Sequence, residues 1–486
     1  AVLNGRLFSD VAVAQLQTWF NPFGQVLQYF LVLYLPPRLA TATLAFLASL
    51  TIPLVYLVAK NMLIPAEQGS RNGLLICIMA AVGAFISPVF MSEIGTTNND
   101  YIYGIFYFLA LIFVFRSNFS LVGFFIAGIF IGLILNVKYT GAIYVVGWIV
   151  GTISIMRLGS IFPLLSSGFG ALLSYAPIGG AWNFYLYVKT GNPLFPMYNN
   201  LFLSPAHLPK DMVHRKFRPE SFGDALQYFL DWAAGVAVSS NLPFRDGRFL
   251  VVLILTILAL PLVLRLLVRR NDGNLSFPFE PRRTLFFLCS FIGTFVVWMA
   301  FFGIHRYIVP LEQLAVLVAL CLLALLIRQS RRFPWVAGMC VVLVVVSTTP
   351  QKTDGGGRSF DGDWFDVRVP ADITSGDTLH VMLTGEPMGY FVQSFQASDK
   401  FVRIEGNMPL RPNTGLGEQV LDAIAHHSKI RALFPRKIPL DTSLASLHRF
   451  GLEAADGPCL DIPTKKHPNK LQDSDLRSCP LRKIEK

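Results

Sequence analysis

The sequence predicts an α-helical, polytopic membrane protein with a small α/β domain at its C-terminal end. Hydrophobic residues make up 53% of the 486 and charged residues only 15%, with a mean hydropathy of +0.51. Apolar stretches recur near the length of about 20 residues that crosses a bilayer. After Gly355-Gly356-Gly357 the pattern changes to polar residues with short β-type runs.

The candidate spans are 39–59, 73–91, 99–115, 119–136, 140–156, 160–180, 249–268, 284–303, 305–327 and 333–348. Alternate connections carry the basic residues: Lys60 and Arg71, then Arg116, Arg157, the Arg269/Arg270 and Arg282/Arg283 pairs, and Arg328, Arg331 and Arg332. The short connections on the other side hold only Arg38, Lys138 and Arg306. The positive-inside rule places the basic set in the cytoplasm. Most of the net charge of +11 lies in these loops, which excludes a nucleic-acid partner as its cause.

Three regions then face outward. Residues 1–38 hold an apolar stretch, Gln25–Leu35, too short to span and suited to interfacial helices. A long loop at 182–248 is rich in aromatics and proline. From 350 onward, the runs Thr378–Thr384 and Phe401–Glu405 predict strands and Gly417–Leu433 a helix, a small extracytoplasmic domain. Cys77, Cys289, Cys321 and Cys340 fall in apolar segments. Cys459 and Cys479 stand alone in the tail, a plausible disulfide without the spacing of a zinc site.

Ionisable residues at a membrane edge are costly and are functional candidates. The outer segment Ser92–Asp100 carries Glu93 and Asp100 with no cation. Two such carboxylates can hold a divalent metal ion, or one can act as a general base; Asp100 also suits the first turn of the helix that follows. Lys138 follows a span on the same side, either snorkelling or offering a point charge to a lipid phosphate. His305 and Arg306 open a span there, and a guanidinium at a helix start makes an anion site. In the long loop, Asn192 and Tyr198 belong to a turn with aromatics that suits a sugar or a membrane surface, and Arg245-Asp246-Gly247-Arg248 suits an ion pair or an anion contact.

The pattern Glu93-x-Gly95-Thr96-Thr97-x-x-Asp100 is similar to the second extracytoplasmic loop of GT-C superfamily glycosyltransferases. Gly132-x5-Lys138-Tyr139-Thr140, Gly191-Asn192-Pro193-x-Phe195-Pro196 and Arg306-Tyr307-x-x-Pro310 look like patterns of bacterial members. Ala1–Arg6 with Asn21-Pro22 resembles the end of their first outer loop. The likeness covers about residues 1–345 and points to mannosyltransferase-like and aminoarabinose-transferase-like enzymes that use a polyprenyl-phosphate sugar. It implies inverting transfer to a lipid, glycan or protein acceptor on the periplasmic face of a bacterial inner membrane. Arg306, Lys138 and His305 would bind the donor phosphate, and Asp100 and Glu93 would serve the acceptor or a metal.

The family's usual base is a first-loop Asp. Asp10 is the only early one, and it lies beyond where that base is expected. With no initiator Met, a preceding segment that carries the base and an eleventh span is expected. A secondary transporter or lipid-linked-sugar flippase is the alternative, but such proteins place ionisable groups at mid-membrane and repeat their halves. The candidate spans hold hardly any charge, and no repeat is visible. A sensor or scaffold acting through its tail would need fewer spans.

Overall fold

Each of the ten apolar segments forms helix in the computed structural model, which describes residues 14–98, 100–156, 160–213, 215–268, 278–327, 332–350, 367–373, 376–385, 389–408, 410–463 and 475–484. Asp10, Asn99 and Gly355–Gly357 lie outside the described residues. The chain forms two units. The helical unit comprises the described residues of Asn21–Gly180 and His214–Thr353, and the second unit those of Ala1–Phe20, Ala181–Val213 and Asp354–Lys486. The expected outer loop 182–248 is therefore divided between the two.

The helical unit contains α1 (Phe23–Tyr34), α2 (Pro37–Ser49), α3 (Thr51–Met62), α4 (Arg71–Phe85), α5 (Pro88–Glu93), α6 (Asp100–Arg116) and α7 (Leu121–Val137). It continues with α8 (Ala142–Ile155), α9 (Phe162–Tyr175), α10 (Phe222–Ala234), α11 (Arg248–Val268), α12 (Pro281–Phe301), α13 (Val309–Ile327) and α14 (Phe333–Val346). The expected span 73–91 is broken at Ser87–Pro88, because proline cannot donate to the preceding turn and starts a new helix instead. Among the described residues, Pro37–Met62, Arg248–Val268, Pro281–Phe301 and His305–Ile327 are long and apolar enough to cross a membrane. The axis of the unit is α13, buried from Val309 to Leu325 and packed by α3, α4, α6, α11, α12 and α14.

Two helix pairs touch backbone to backbone. A Cβ at Gly128 of α7 would lie 2.1 Å from the Ser167 carbonyl oxygen of α9, and one at Gly132 would lie 2.3 Å from that of Ala171. On α8, a Cβ at Gly147 would meet the Ser290 oxygen of α12 at 2.6 Å, and one at Gly151 the Phe286 oxygen at 2.9 Å. Both are small-xxx-small stripes, the arrangement that lets helices associate through close packing rather than through expulsion of water.

The second unit is built on a sheet of β1 (Thr378–Leu383), β2 (Lys400–Glu405), β3 (Lys429–Pro435), β4 (Leu452–Ala454), β5 (Leu460–Ile462) and β6 (Leu476–Lys483). Its order is β2-β1-β3-β6-β4, with β5 also on β6; β1 runs parallel to β2 and β3, and β6 antiparallel to its neighbours. Central β1 is buried at every position, as a parallel strand covered on both faces requires. The helix expected to reach Leu433 ends at His426, and Lys429–Pro435 is strand β3. Ile430, Ala432 and Phe434 alternate into one core cluster there, a period of two that a helix cannot satisfy. Cys459 and Cys479 are disulfide-bonded, and Cys77, Cys289, Cys321 and Cys340 are free thiols. The segments 14–20 and 181–213 belong to this unit through backbone bonds. Met408 N–H donates to Ala14 O, and Gly415 and Leu416 N–H donate to Pro205 O and Ala206 O.

Gly128→Ala is expected to lower stability by about 1–3 kcal/mol through overpacking. Gly168→Ala, whose Cβ meets nothing within 4 Å, is expected to be neutral or slightly stabilising. Thermal unfolding of the two variants in detergent checks this pair.

Candidate functional site

Three segments remote in sequence converge at one end of the helical unit. After α5 the chain turns sharply: Gly95 adopts φ 74°, and the Thr96 N–H and hydroxyl both donate to Glu93 O. This turn delivers Asn98 and, at the start of α6, Asp100. Lys138 leaves α7 in extended conformation, and a 3-10 turn, Tyr139–Gly141, redirects the chain into α8. A second 3-10 turn, His305–Ile308, leads into α13 and presents Arg306.

Asp100 lies between the two cations. Its Oδ2 is 3.0 Å from Arg306 Nε and its Oδ1 is 3.7 Å from Lys138 Nζ. Arg306 Nη1 also donates to Asn98 Oδ1 at 3.2 Å, and Lys138 Nζ sits 4.3 Å over the Tyr307 ring. Tyr103 and Thr140 share a hydroxyl bond of 3.0 Å, and Tyr144 OH donates to Tyr307 O at 2.8 Å, bracing the floor. The Asp100 side chain is 3% exposed, against 24% for Lys138 and 41% for Arg306. The carboxylate therefore lies underneath, and the cations face the opening.

Glu93 ends α5 beside this cluster, outside the spans. It is buried, and neither carboxylate oxygen has a hydrogen-bond partner among the described residues. Burial, reinforced by the Asp100 charge, holds its carboxyl well above the usual range, although Arg306 and Lys138 oppose the shift. Glu93 holds its proton more tightly than an ordinary carboxyl and so offsets the cations less than Asp100 does, and the opening suits an anion. A divalent ion fits poorly here, because Asp100 already faces two cations.

His305 does not join this cluster. Its ring lies among Phe244, Trp232, Phe249 and Trp298, with centroids 4.6–6.2 Å away, and its Nδ1 is 3.4 Å from Ser239 Oγ. The expected role on a donor phosphate is unsupported, because in a 3-10 turn neighbouring residues point about a third of a turn apart. Asn192 and Tyr198 belong to the second unit. Asn192 folds its carboxamide back onto Met197 O, Asn199 Oδ1 and the Leu194 N–H, a turn-holding role; Tyr198 takes a left-handed backbone with a half-exposed ring. Arg245 donates to Ala233 O at 2.8 Å and is exposed.

The segment read as an ion pair or an anion contact, Arg245-Asp246-Gly247-Arg248, holds an ion pair between Asp246 and Arg248, buried and joined by Glu312, which the sequence did not single out. Arg248, 1% exposed, bonds Asp246 twice at 2.8 Å, Glu312 Oε1 at 3.0 Å and Ser87 Oγ at 2.7 Å. Glu312 in turn accepts from the Val89 and Phe90 N–H groups that open α5. Glu312 stands inside the span 305–327, so that interior is not free of charge; its place amid apolar residues was the available signal. Asp246, His305 and Glu312 have donor atoms within 4.8 Å of one another, a spacing that could hold a metal ion. Arg248 already supplies the positive charge to both carboxylates, which leaves a metal little to do.

Arg248→Ala strands two buried carboxylates and is expected to cost about 3–5 kcal/mol of stability, whereas Arg306→Ala leaves the one buried carboxylate of Asp100 with Lys138 and is expected to cost less. Denaturation in detergent separates the two. Glu93 carries a pH signature. Its raised carboxyl leaves stability intact below the ordinary value of 4.5 and removes it as pH rises toward the folded-state value. Glu93→Gln is therefore expected to match the unsubstituted protein at about pH 4 and to unfold at a higher temperature than it at about pH 8, read from melting curves at both. No protein-family model, curated protein or solved structure matches this chain, so the reading of the site rests on the chemistry of these residues.

Proposed function

We propose that this chain is an integral-membrane glycosyltransferase of the GT-C kind, which moves a sugar from a polyprenyl-phosphate carrier to an acceptor at the outer face of a bacterial inner membrane. The observation that carries the reading is the open pair of cations, Arg306 and Lys138, braced from beneath by Asp100. Membrane placement is supported by apolar side chains facing outward: Leu165, Phe169 and Leu172 on α9, and Trp335, Val342 and Val346 on α14, are each more than half exposed. Water would make such faces unfavourable; lipid covers them without penalty.

A phosphate-linked sugar arrives with its leaving group in place. Arg306, oriented by Asp100 and Asn98, and Lys138, as a point charge, neutralise the phosphate as the bond to the anomeric carbon breaks. The acceptor oxygen forms the new bond to that carbon from the opposite side, which inverts it, and the acceptor proton passes to a base. Asp100 is a positioning residue in this scheme: its Oδ2 pairs with Arg306 at 3.0 Å, and its Oδ1, 3.7 Å from Lys138 Nζ, has no hydrogen-bond partner among the described residues. The resemblance puts the base in the first outer loop.

The test is transfer of radiolabelled sugar from polyprenyl-phosphate donors in membranes that carry the protein. Arg306→Ala and Lys138→Ala are each expected to reduce transfer about 10²–10³-fold, and Asp100→Asn to reduce it through displacement of both cations. Arg245→Ala is expected to leave it unchanged. Full-rate transfer by both cation variants would remove the site assignment. Release of the protein from membranes by alkaline wash would remove the membrane reading.

A further inference from the structure

A cavity of about 260 Å³ opens at the other end of α4, between the end of α3 and the start of α4. Its walls include Tyr56, Lys60, Ser70, Arg71, Leu74 and Cys77. It falls below the roughly 300–1,000 Å³ of pockets that take drug-sized ligands, a size suited to a headgroup. α4 has 15 residues and so spans roughly 22 Å. The cavity is thus separated by that helix from α5, Glu93 and the Asp100 cluster.

Lys60 and Arg71 bring two positive charges to this cavity. Both are exposed, and neither has an ion-pair or hydrogen-bond partner among the described side chains, unlike Lys138, Arg248, Arg283 and Arg306. The nearby anion, Glu67, accepts from Ser70 Oγ, which also holds Gly73 N–H at 2.9 Å. From the cavity an apolar stripe runs along α4: Leu74, Ile78, Val82 and Phe85, each 41–49% exposed, at helical spacing. A cationic cavity at the head of an outward apolar stripe matches a phosphate joined to acyl chains, and basic pockets between spans on the cytoplasmic side are where anionic headgroups bind.

We propose that this cavity is a binding site for the phosphate diester of an anionic phospholipid, held by Lys60 and Arg71 with its acyl chains along α4. The inference rests on the membrane placement of α3 and α4, which the alkaline wash tests separately. It is independent of the transfer reaction.

The experiment titrates the full chain in detergent micelles with dioleoylphosphatidylglycerol and with dioleoylphosphatidylcholine, read by native mass spectrometry. Phosphatidylglycerol is expected to bind more tightly. Lys60→Ala/Arg71→Ala should reduce that preference about thirtyfold, equivalent to about 1 kcal/mol for each cation. The charge-preserving Lys60→Arg/Arg71→Lys should retain it. Equal affinity for the two lipids, or an unchanged preference in the alanine variant, overturns the proposal. Displacement of the lipid by millimolar inorganic phosphate would assign the cavity to free phosphate and overturn the lipid. Photocrosslinking of a diazirine phosphatidylglycerol to the unsubstituted protein should label peptides within 56–85, and labelling confined elsewhere overturns the assignment without any variant.

Discussion

The buried guanidinium of Arg248 is the interaction on which the helical unit turns. It joins the end of α4 through Gly83 O and Ser87 Oγ, the start of α11 through Asp246, and α13 through the carboxylate and carbonyl of Glu312. Taking these charges out of water is expensive, and only a fully bonded geometry repays it. That demand makes the arrangement specific. The helix ends must meet in one register, or a buried charge is left without its partner. Because Glu312 also caps α5, the network sets where the Glu93 turn begins. It lies one helical stretch from the turn that carries Arg306.

A second constraint comes from the glycine stripes, which set the other side of the cluster. α7 ends at Val137, just before Lys138, and its final turn is held by Asn136, whose carboxamide donates to Ser174 O and accepts from Gly179 N–H, both at 2.8 Å. The backbone contact of α7 with α9 and the bond at its end fix where Lys138 leaves the helix. Similarly, α8 on α12 carries Tyr144, whose hydroxyl holds the carbonyl of Tyr307. The cations of the site therefore owe their separation to packing well away from them.

The two ends of α4 carry opposite solutions to the same electrostatic problem. Near Asp100, cations are braced by a carboxylate from beneath and keep a net positive opening. At the other end, Lys60 and Arg71 line a cavity and have no ion-pair partner among the described residues. Positive charge at a bilayer surface is inexpensive where anionic lipid compensates it, and it needs an internal brace where it must keep one geometry for chemistry.

Composition and periodicity alone determined the helical character, the ten apolar segments and the sheet domain at the end of the chain, because hydrophobic pattern is a local property. Asp100, Lys138 and Arg306 were legible for the same reason: charges at the margins of apolar runs stand out. The charge rule put them on one face and the resemblance in one site, but the distances between them were not legible, since these depend on three turns and on helix crossings set by Gly128, Gly132, Gly147 and Gly151. Adjacency misled for His305, which shares a turn with Arg306 yet points into an aromatic cage. Asn192 has a motif's chemistry and spends it on its own turn. Arg248 stood out in sequence only as a partner for nearby Asp246, and Glu312 was a lone acid in an apolar run. Only the tertiary structure pairs them, because an ion pair across 64 residues depends on which helices touch.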